Sequence, residues 1–379
     1  MRNPSPVRAV KKGSPAPSLK INTYHLFLGE DLEDLGKSHI IIENGVITEI
    51  SSGWLSEPDI VTGYVLPLPV NAHIHLNDYR VPESCVGYSL SNYVGSKGLK
   101  HPLIQLFKEP LMPEDLLETL IQYRIIVDFQ EHNWRCIEIK ETLGEYGIEY
   151  VGLSRPKQWD EPLEPIAEKC GGIGISNPTK VPSWKKAELS IISKKYPVAA
   201  HVSETRKMEE TGGLHYLLDD EIRLWHIVHG IFLEDWELRL LADENIPIVV
   251  CPRSNLFFTG RILDLRKALK YNIDVALGTD NAGCFHPDIF AEAHLIYTLF
   301  KEIDPRIILK ILFINGYKAI NTKPALIKEG EPAYLMALDL GLANQRSFNP
   351  YASVISRGLW AREKIIVKKS NVFYIIKRL

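Results

Sequence analysis

Short apolar stretches that each end in a polar residue recur along the middle of this chain. The first reads Val65-Leu-Pro-Leu-Pro-Val-Asn-Ala-His-Ile-His-Leu76 and ends at a pair of histidines. Later stretches end in the same way, at His201, His229 and Asp280. Runs of this kind are typical of strands in a buried parallel sheet, whose carboxyl ends meet at one face. The pattern therefore predicts that these polar residues lie near one another.

Between these stretches, strand-like and helix-like patterns alternate. The strand-like runs begin near Val65, Ile125, Ile148, Gly171, Val198, Ile227, Ile246 and Ile273. The clearest helical pattern among the intervening segments is Pro113–Tyr123. Alternation of this type is typical of parallel βα units, and eight units predict an α/β protein with a (β/α)8 TIM barrel. The first connection, residues 77–113, is too long for a plain helix, so we expect it to form a lid or contact substrate.

The two ends of the chain have a different texture. Residues 1–19 are rich in Pro, Ser, Lys and Arg with little to bury, so we predict a mobile N-terminal segment. Residues 20–64 and 331–379 carry short β-branched runs, and Asn44-Gly45 between two of them is a strong hairpin signal. We predict that both ends build one small composite β-sandwich, 20–64 and 331–379, beside a barrel of residues 65–330.

Composition narrows the class of partner. The chain has 379 residues, 45% of them hydrophobic, and a formal net charge of -3, which gives no electrostatic reason to expect nucleic acid or an anionic membrane. A small-molecule substrate fits better, and self-association is left open. The five cysteines are far apart and lack the short paired spacing of structural zinc sites, so we expect buried thiols. With no apolar run long enough to span a membrane and no signal peptide, we expect a cytoplasmic protein.

His73 and His75 are separated by one residue. In an extended strand the side chains alternate, so both histidines project from one face and can bind one metal ion. Neutral imidazole is the commonest metal ligand in proteins. By contrast, His226 lies inside an apolar run and is expected to pack in the core, and Cys251 and Asn255 are expected to shape a loop.

The ordered motifs His-x-His (73–75), His-Val-Ser-Glu (201–204), His-Gly (229–230), Cys-Pro-Arg-Ser-Asn (251–255) and Gly-Thr-Asp-Asn (278–281) resemble the amidohydrolase superfamily. Within it they resemble the deaminase and chlorohydrolase branch, which is cytosine deaminase-like and mononuclear. The resemblance implies one divalent metal ion per chain, zinc or iron, and it matches the metal-ligand positions to His73, His75, His201 and Asp280. It also implies that Glu204 and His229 shuttle a proton and polarise the substrate. No lysine on the fourth strand suits a two-metal site.

The chemistry of these residue types agrees with the implied roles. Three imidazoles and a carboxylate can hold a divalent ion and leave a position for water, whose pKa on zinc falls to about 7. Asp280 can accept a proton from that water, and Glu204 can deliver one to a leaving nitrogen. His229 can stabilise charge on the attacked centre. We therefore predict an aminohydrolase in which a metal-bound hydroxide displaces ammonia from an sp² carbon of a small nitrogen heterocycle.

Two alternatives stay open on sequence grounds. The same site would serve a hydrolase of a cyclic or linear amide, similar to imidazolone hydrolases, or a metal-binding homologue whose catalysis has lapsed. Substrate contacts are expected from Arg253, which suits an anionic group or a neighbouring carboxylate, and from Glu131, which follows the second strand. The stretch Lys97-Gly-Leu-Lys-His101 in the long connection is either a contact for an anion or a solvated surface run.

Overall fold

The fold is that of a computed structural model, which describes residues 10–12, 17–95, 97–107, 112–130, 135–206, 213–219 and 221–376. Its strands are β1 (Val10–Lys12), β2 (Ser18–Leu28), β3 (Glu33–Asp34), β4 (Ser38–Glu43), β5 (Val46–Ser52), β6 (Ile60–Pro67), β7 (Val70–His75), β8 (Ile125–Gln130), β9 (Glu149–Ser154), β10 (Gly171–Ile175), β11 (Val198–Val202), β12 (His226–His229), β13 (Ile248–Val250), β14 (Val275–Leu277), β15 (Asp280–Asn281), β16 (Tyr334–Asp339), β17 (Glu363–Lys368) and β18 (Asn371–Ile376).

The α-helices follow most of these strands. They span Leu90–Val94, Lys100–Leu106, Glu114–Leu120, Cys136–Glu145, Leu163–Cys170, Lys186–Ser193, His215–Leu218, Asp235–Asp243, Pro252–Thr259, Leu265–Lys270, Ile289–Leu299, Pro305–Phe313, Asn315–Ala319, Ala343–Arg346 and Pro350–Arg357. Short 3₁₀ helices span Leu76–Arg80, Pro178–Lys180, Ser183–Lys185 and Gly358–Trp360.

The central strands form a parallel sheet that closes on itself. Its order is β14-β13-β12-β11-β10-β9-β8-β7-β15. β14 pairs with β13, and β15 pairs with β7. Two residues separate the end of β14 from the start of β15. The segment between them, Gly278 and Thr279, bonds to both neighbours, because Gly278 donates its N–H to Val250 O and Thr279 donates its N–H to His73 O. β14 and β15 are thus two halves of the eighth strand, and the predicted (β/α)8 TIM barrel is confirmed.

The first barrel strand is shorter than the apolar run in the sequence. That run includes the carboxyl end of β6, which belongs to the other sheet, and the whole of β7, which begins the barrel at Val70 and not near Val65. Pro67 ends β6 and Pro69 lies between the two strands, and neither supplies an N–H to a continuing ladder. One end of the run is buried in the composite sheet and the other end in the barrel. For that reason the run is apolar along almost its whole length.

Both ends of the chain contribute to one sheet, as predicted. Its order is β1-β18-β17-β16-β6-β2-β4-β5, with β3 paired to β2. The Asn44-Gly45 hairpin is confirmed: these two residues join β4 to β5 with φ of 49° and 81°, the left-handed values that such turns require. The proposed boundaries of the domains stay a prediction. Most of the N-terminal segment, residues 1–9 and 13–16, lies outside the described residues. Its predicted mobility therefore stays a prediction.

Three hydrophobic clusters fill the molecule. One lies between the sides of the barrel strands and the surrounding helices, and a second lies within the composite sheet. The third fills the barrel interior with alternate strand residues such as Val70, Ala72, Val127 and Ala199, and it includes Tyr317 from the helix Asn315–Ala319. That helix contacts the amino ends of several strands, which leaves the carboxyl ends for chemistry.

Four of the five cysteines are paired, so the expectation of free thiols is wrong for them. Disulfides join Cys85 to Cys284 and Cys136 to Cys170, and Cys251 is free and buried. The pairs are 199 and 34 residues apart in sequence, and their spacing gives no sign of the pairing. The fold brings their Cα atoms to 5.9 and 5.1 Å, within the range that a disulfide spans.

Within the described part of the chain, every helix is too short or too polar to cross a membrane. The cytoplasmic location stays a prediction.

Candidate metal and catalytic site

The polar residues that end the barrel strands lie together at the carboxyl end of the barrel. Nitrogens of His73, His75 and His201 lie within 4.8 Å of one another. Asp280 Oδ1 is 3.4 Å from His73 Nε2 and 3.5 Å from His75 Nε2. All four side chains are buried. The structure thus brings together the four residues to which the resemblance assigns metal ligation.

An irregularity in β7 places the first two histidines. Val70 and Ala72 belong to the barrel interior, whereas Ile74 packs on the outside. Strict alternation after Ala72 would direct His73 and His75 outwards. The register of β7 against β8 shifts between Asn71 and Ile74, and beyond the shift both histidines face the other site residues. Such irregularities re-aim side chains next to functional sites.

His229 enters the site through a different departure from alternation. Its neighbour on β12, Val228, belongs to the barrel interior, so a regular strand would turn His229 outwards. The backbone of His229 is left-handed, with φ of 78°, and its ring lies 5.0 Å from that of His201. For a residue with a Cβ this conformation costs roughly 1–2 kcal/mol. Asp280 is also left-handed, with φ of 56°. Both residues therefore carry backbone strain where the polar side chains meet.

The protonation states suit metal ligation. Burial lowers the pKa of His73, and it lowers the pKa of His201 well below the ordinary value, so both rings are neutral near pH 7. Burial opposes ionisation of Asp280, but the surrounding histidines, His73 foremost, bring its pKa well below the ordinary value. The site therefore presents neutral imidazoles and a carboxylate, which are the forms that bind a cation.

The donor atoms fit a divalent transition metal ion. Both ring nitrogens of His73 and Nε2 of His201 are buried with no hydrogen-bond partner among the described residues. His75 Nδ1 lies 3.0 Å from the carbonyl oxygen of Phe129 and donates to it, so the lone pair of His75 is on Nε2, towards Asp280. Nitrogen and carboxylate donors of this kind suit zinc and iron. An ion bound here would satisfy atoms that the protein leaves unpaired.

Glu204 and His229 lie beside the ligand set. Glu204 Oε1 is 3.7 Å from His229 Nε2, and one oxygen or nitrogen of each lies within 4.8 Å of a His201 nitrogen. Burial raises the pKa of Glu204. A raised pKa favours the protonated form that an acid catalyst needs.

The first turn of the helix Pro252–Thr259 supports two of these side chains. Ser254 Oγ donates to Asp280 Oδ2 at 2.5 Å, and Asn255 Nδ2 donates to His229 Nδ1 at 2.9 Å. We expected Asn255 only to shape a loop, and the sequence contains no signal for this contact. Cys251, just before the helix, is buried, and burial raises its thiol pKa well above the ordinary value, which makes it a poor nucleophile.

The two residues expected to contact substrate have different outcomes. Arg253 donates to the fully buried Glu292 from Nε at 2.6 Å and from its backbone N–H at 2.9 Å. Its guanidinium also bonds to the carbonyl of His286 at 3.0 Å. These contacts fasten the helix start to Ile289–Leu299, and a substrate contact by Arg253 stays a prediction. Glu131 lies outside the described residues.

The long connection after β7 packs against the loop after β15. Glu83 donates its N–H to Gly283 O at 2.6 Å, and the Cys85–Cys284 disulfide joins the same two segments. Lys100 from this connection is buried and lies 3.2 Å from Asp78, so it is not the solvated lysine that its sequence context also allowed. The connection is thus fastened to the loop that follows Asp280, and its role as a lid or substrate contact stays a prediction.

Aromatic side chains gather at the same end of the barrel. Phe257 and Phe258 lie on the helix Pro252–Thr259, Phe285 lies after β15, and Tyr93 lies in the long connection. The rings of Phe257 and Phe285 are 5.5 Å apart, and those of Tyr93 and Phe258 are stacked at 6.1 Å. Phe257 is 45% exposed. Phe257 and Phe285 meet edge to face and leave partly exposed apolar rings at this end of the barrel.

Comparison with known proteins agrees with this geometry. The profile of the amidohydrolase family matches residues 180–373. An uncharacterised protein of Methanocaldococcus jannaschii is 31% identical over 87% of this chain and 92% of its own length. A 5-methylthioadenosine/S-adenosylhomocysteine deaminase of Pyrococcus furiosus is 28% identical over 80% of this chain and 82% of its own. The crystal structure of an adenosine deaminase from Xanthomonas campestris with bound zinc has a TM-score of 0.72, at 16% identity over 93% and 92% of the two chains.

Proposed function

This chain belongs to the amidohydrolase family, and we propose that it is a metal-dependent aminohydrolase that releases ammonia from the amino-bearing ring of an adenine nucleoside. The observation that carries the proposal is the convergence of His73, His75, His201 and Asp280 with Glu204 and His229 at the carboxyl end of the barrel. The expected resemblance to the deaminase and chlorohydrolase branch is confirmed. The protein is a hydrolase of carbon–nitrogen bonds other than peptide bonds.

The residues proposed to hold the metal are His73, His75, His201 and Asp280. We propose one ion per chain, and zinc first, since the neutral imidazoles and the carboxylate suit it and the adenosine deaminase of similar fold was crystallised with zinc. Iron is the second choice. When bound, the ion supplies a water molecule that is acidic enough to react near neutral pH.

The chain's own residues supply the proton transfers. In the overall reaction the oxygen of water bonds to the ring carbon, the bond from that carbon to the amino nitrogen breaks, and ammonia leaves. Asp280, held ionised, accepts a proton from the attacking water. Glu204, whose pKa burial raises, delivers a proton to the departing nitrogen. Positioned acids and bases contribute about 10²- to 10⁴-fold each to such reactions.

The choice of an adenine nucleoside rests on two supports. The Pyrococcus furiosus relative, which matches most of this chain, is named for deamination of 5-methylthioadenosine and S-adenosylhomocysteine. The aromatic group around Phe257 and Phe285 offers a surface on which a flat ring or a thioether can pack. Of these two compounds, 5-methylthioadenosine is uncharged, which agrees with a site in which Arg253 is paired with Glu292.

The test is a measurement of bound metal together with an ammonia-release screen. Purified protein is analysed for metal, then assayed with 5-methylthioadenosine, adenosine, guanine, aminopyrimidines, aminotriazines and cyclic amides. We expect about one metal ion per chain and ammonia from an adenine nucleoside. Ammonia from another heterocycle would reject the substrate class, and ring opening without ammonia would identify an amide hydrolase. Bound metal with no turnover of any compound would favour a lapsed homologue. Glu237→Gln, in the capping box of the helix Asp235–Asp243, serves as the control variant.

A further inference from the structure

We propose that Asn255 is a positioning residue that fixes the tautomer of His229, so that its ring carries the proton on Nε2 and donates a hydrogen bond into the site. The proposal deepens the function proposed above, because it assigns His229 the role of a hydrogen-bond donor and not of a metal ligand. It rests on the placement of His229 and on the hydrogen bonds that the Nδ1 atoms of His229 and His75 form.

The two nitrogens of His229 have different surroundings. Nδ1 faces the amide nitrogen of Asn255 at 2.9 Å. An amide N–H can only donate, so Nδ1 must accept and cannot carry a proton while this bond exists. The ring proton is then on Nε2, which lies 3.7 Å from Glu204 Oε1. His229 therefore presents an N–H, and no lone pair, to the site.

His75 has the opposite arrangement. Its Nδ1 faces the carbonyl oxygen of Phe129 at 3.0 Å, and a carbonyl can only accept, so His75 carries its proton on Nδ1. The lone pair is left on Nε2, on the side of Asp280. A histidine binds a metal ion through a lone pair, and the hydrogen bond of its other nitrogen selects which one is available. The hydrogen bonds at the two Nδ1 atoms thus make His75 a metal ligand and His229 a hydrogen-bond donor within one cluster.

This difference resolves an ambiguity in the geometry. His201, Glu204 and His229 lie close enough to hold a metal ion, as do His73, His75 and His201. Distances alone do not choose between the two sets. With its proton on Nε2, His229 has no lone pair to bind an ion held by His201 and Glu204. The ion is therefore expected at His73, His75 and His201, beside Asp280.

Asn255 is itself held firmly, as a positioning residue must be. It is 1% exposed, and its backbone N–H donates to Cys251 O at 2.9 Å. The preceding Arg253 is fastened to buried Glu292 through both its side chain and its backbone. The left-handed backbone of His229 is strained, and the bond from Asn255 fixes the orientation of the ring that this backbone brings inwards.

The first experiment reads the tautomer directly. Zinc-loaded protein with ¹⁵N-labelled histidine is studied by NMR, and the His229 ring is assigned by its absence in His229→Gln. We expect the wild type to have the Nε2–H tautomer and Asn255→Asp to have the Nδ1–H tautomer, because a carboxylate accepts a bond and forces the proton onto Nδ1. An Nδ1–H tautomer in the wild type would overturn the proposal. This readout needs no substrate, so it is independent of the function proposed above.

The second experiment tests whether Asn255 acts through His229. With the substrate found in the screen, we expect Asn255→Asp and Asn255→Ala to lower kcat by about 10²-fold, a typical loss for a mispositioned donor, with KM changed far less. In a His229→Gln background the same changes should cost nothing further, since residues that act as a unit are not additive. Additive losses would show that Asn255 acts elsewhere and would overturn the proposal.

Asn315→Ala is the matched control. Asn315 is also a buried asparagine, and its Nδ2 donates to Val275 O at 2.8 Å, at the other end of the barrel. Its loss should lower stability while kcat and the His229 tautomer stay unchanged. An equal fall of kcat in Asn315→Ala would mean that any lost buried amide disturbs the site, and the assignment to Asn255 would fail. If the Asn255 variants do not fold, the tautomer of the wild type decides alone.

Discussion

The two ends of the barrel both contain buried polar side chains but use them in different ways. At the amino end, Asn315 and Tyr317 donate to main-chain carbonyls at 2.8 Å, and His226 Nδ1 donates to Ala319 O at 2.8 Å, while Asn315 Oδ1 and His226 Nε2 have no hydrogen-bond partner among the described residues. At the carboxyl end, the side chains face one another, and nitrogens of His73 and His201 have no hydrogen-bond partner among the described residues. The amino end is built for stability and the carboxyl end for binding a cation and reacting.

The contrast is sharpest on a single strand. β12 begins with His226 and ends with His229, and both are buried. His226 bonds to the helix that lies across the amino end, whereas His229 leaves regular geometry to face the ligand set. A left-handed backbone at a residue with a Cβ costs about 1–3 kcal/mol. Such costs are tolerated where function requires the arrangement.

The largest expected effect comes from removing a histidine at the carboxyl end. His201→Ala should abolish metal binding, and activity should fall by far more than the roughly 100-fold that loss of a supporting contact costs. Elemental analysis and the ammonia assay measure the two effects. His226→Gln, at the other end of the barrel, should keep the metal. Retention of metal by His201→Ala, or its loss from His226→Gln, would break the comparison.

A change that keeps the shape of the site should separate binding from chemistry. Glu204→Gln should retain the metal and lower kcat by about 10²- to 10⁴-fold, because the amide cannot deliver the proton to the leaving nitrogen. Metal content and kcat are measured on the same preparation, with Glu237→Gln as the control. Loss of metal in Glu204→Gln would instead place this carboxylate among the ligands.

A methyl group beside the site should have a moderate effect. A Cβ on Gly278 would lie 2.6 Å from His73 Cβ and 2.7 Å from His73 O, so Gly278→Ala must displace a ligand. We expect kcat/KM to fall by about 10²-fold, as for other small misplacements of reacting groups. Gly144→Ala, where nothing lies within 4 Å of the added atom, is the control and should leave kcat/KM unchanged. A fully active Gly278→Ala would mean that the site tolerates movement of β7.

The smallest effect concerns stability at the amino end. Burial lowers the pKa of His226 to about 4, from its ordinary value of 6.5. The folded state therefore keeps the ring neutral while the unfolded state takes up a proton below pH 6.5. The stabilising contribution is complete above that pH and is lost as the pH falls towards 4. Between pH 7 and 5 the wild type should lose about 2 kcal/mol relative to His226→Gln, at equal metal content.

Denaturant unfolding of both proteins at the two pH values measures that difference. The other histidines contribute equally to both and cancel. If the difference in unfolding free energy between the two proteins stayed constant from pH 7 to pH 5, His226 would not be a buried neutral side chain, and the contrast between the barrel ends would lose its clearest example.

Much of this arrangement followed from the chain itself. Apolar runs that lead to His75, His201 and Asp280 predicted strand ends at or next to the places where β7, β11 and β15 stop. The Asn44-Gly45 signal predicted a hairpin that the structure contains. Turn chemistry and strand ends are local properties, because they depend on a few adjacent residues. The grouping of both chain ends in one sheet was predicted from their shared texture.

Other features could not be predicted, because they depend on contacts between distant segments. The sequence does not reveal that Arg253 pairs with Glu292, or that Cys85 meets Cys284. The apolar run from residue 65 to 76 gave no sign that it is shared between two sheets. In each case the partner is far away in sequence and chosen by the packing of whole elements.

By itself, the sequence determined which residue types are available for chemistry and at which strand ends they lie. Hydrophobic periodicity and the chemistry of a side chain both depend only on residues that are adjacent in sequence. Only the tertiary structure decided which way they face. The register shift in β7 turns His73 and His75 inwards, and the left-handed backbone at His229 brings in a third ring. The bond from Asn255 then orients that ring. These choices depend on closure of the barrel, because only a closed sheet brings β7, β12 and the helix after β13 to one point.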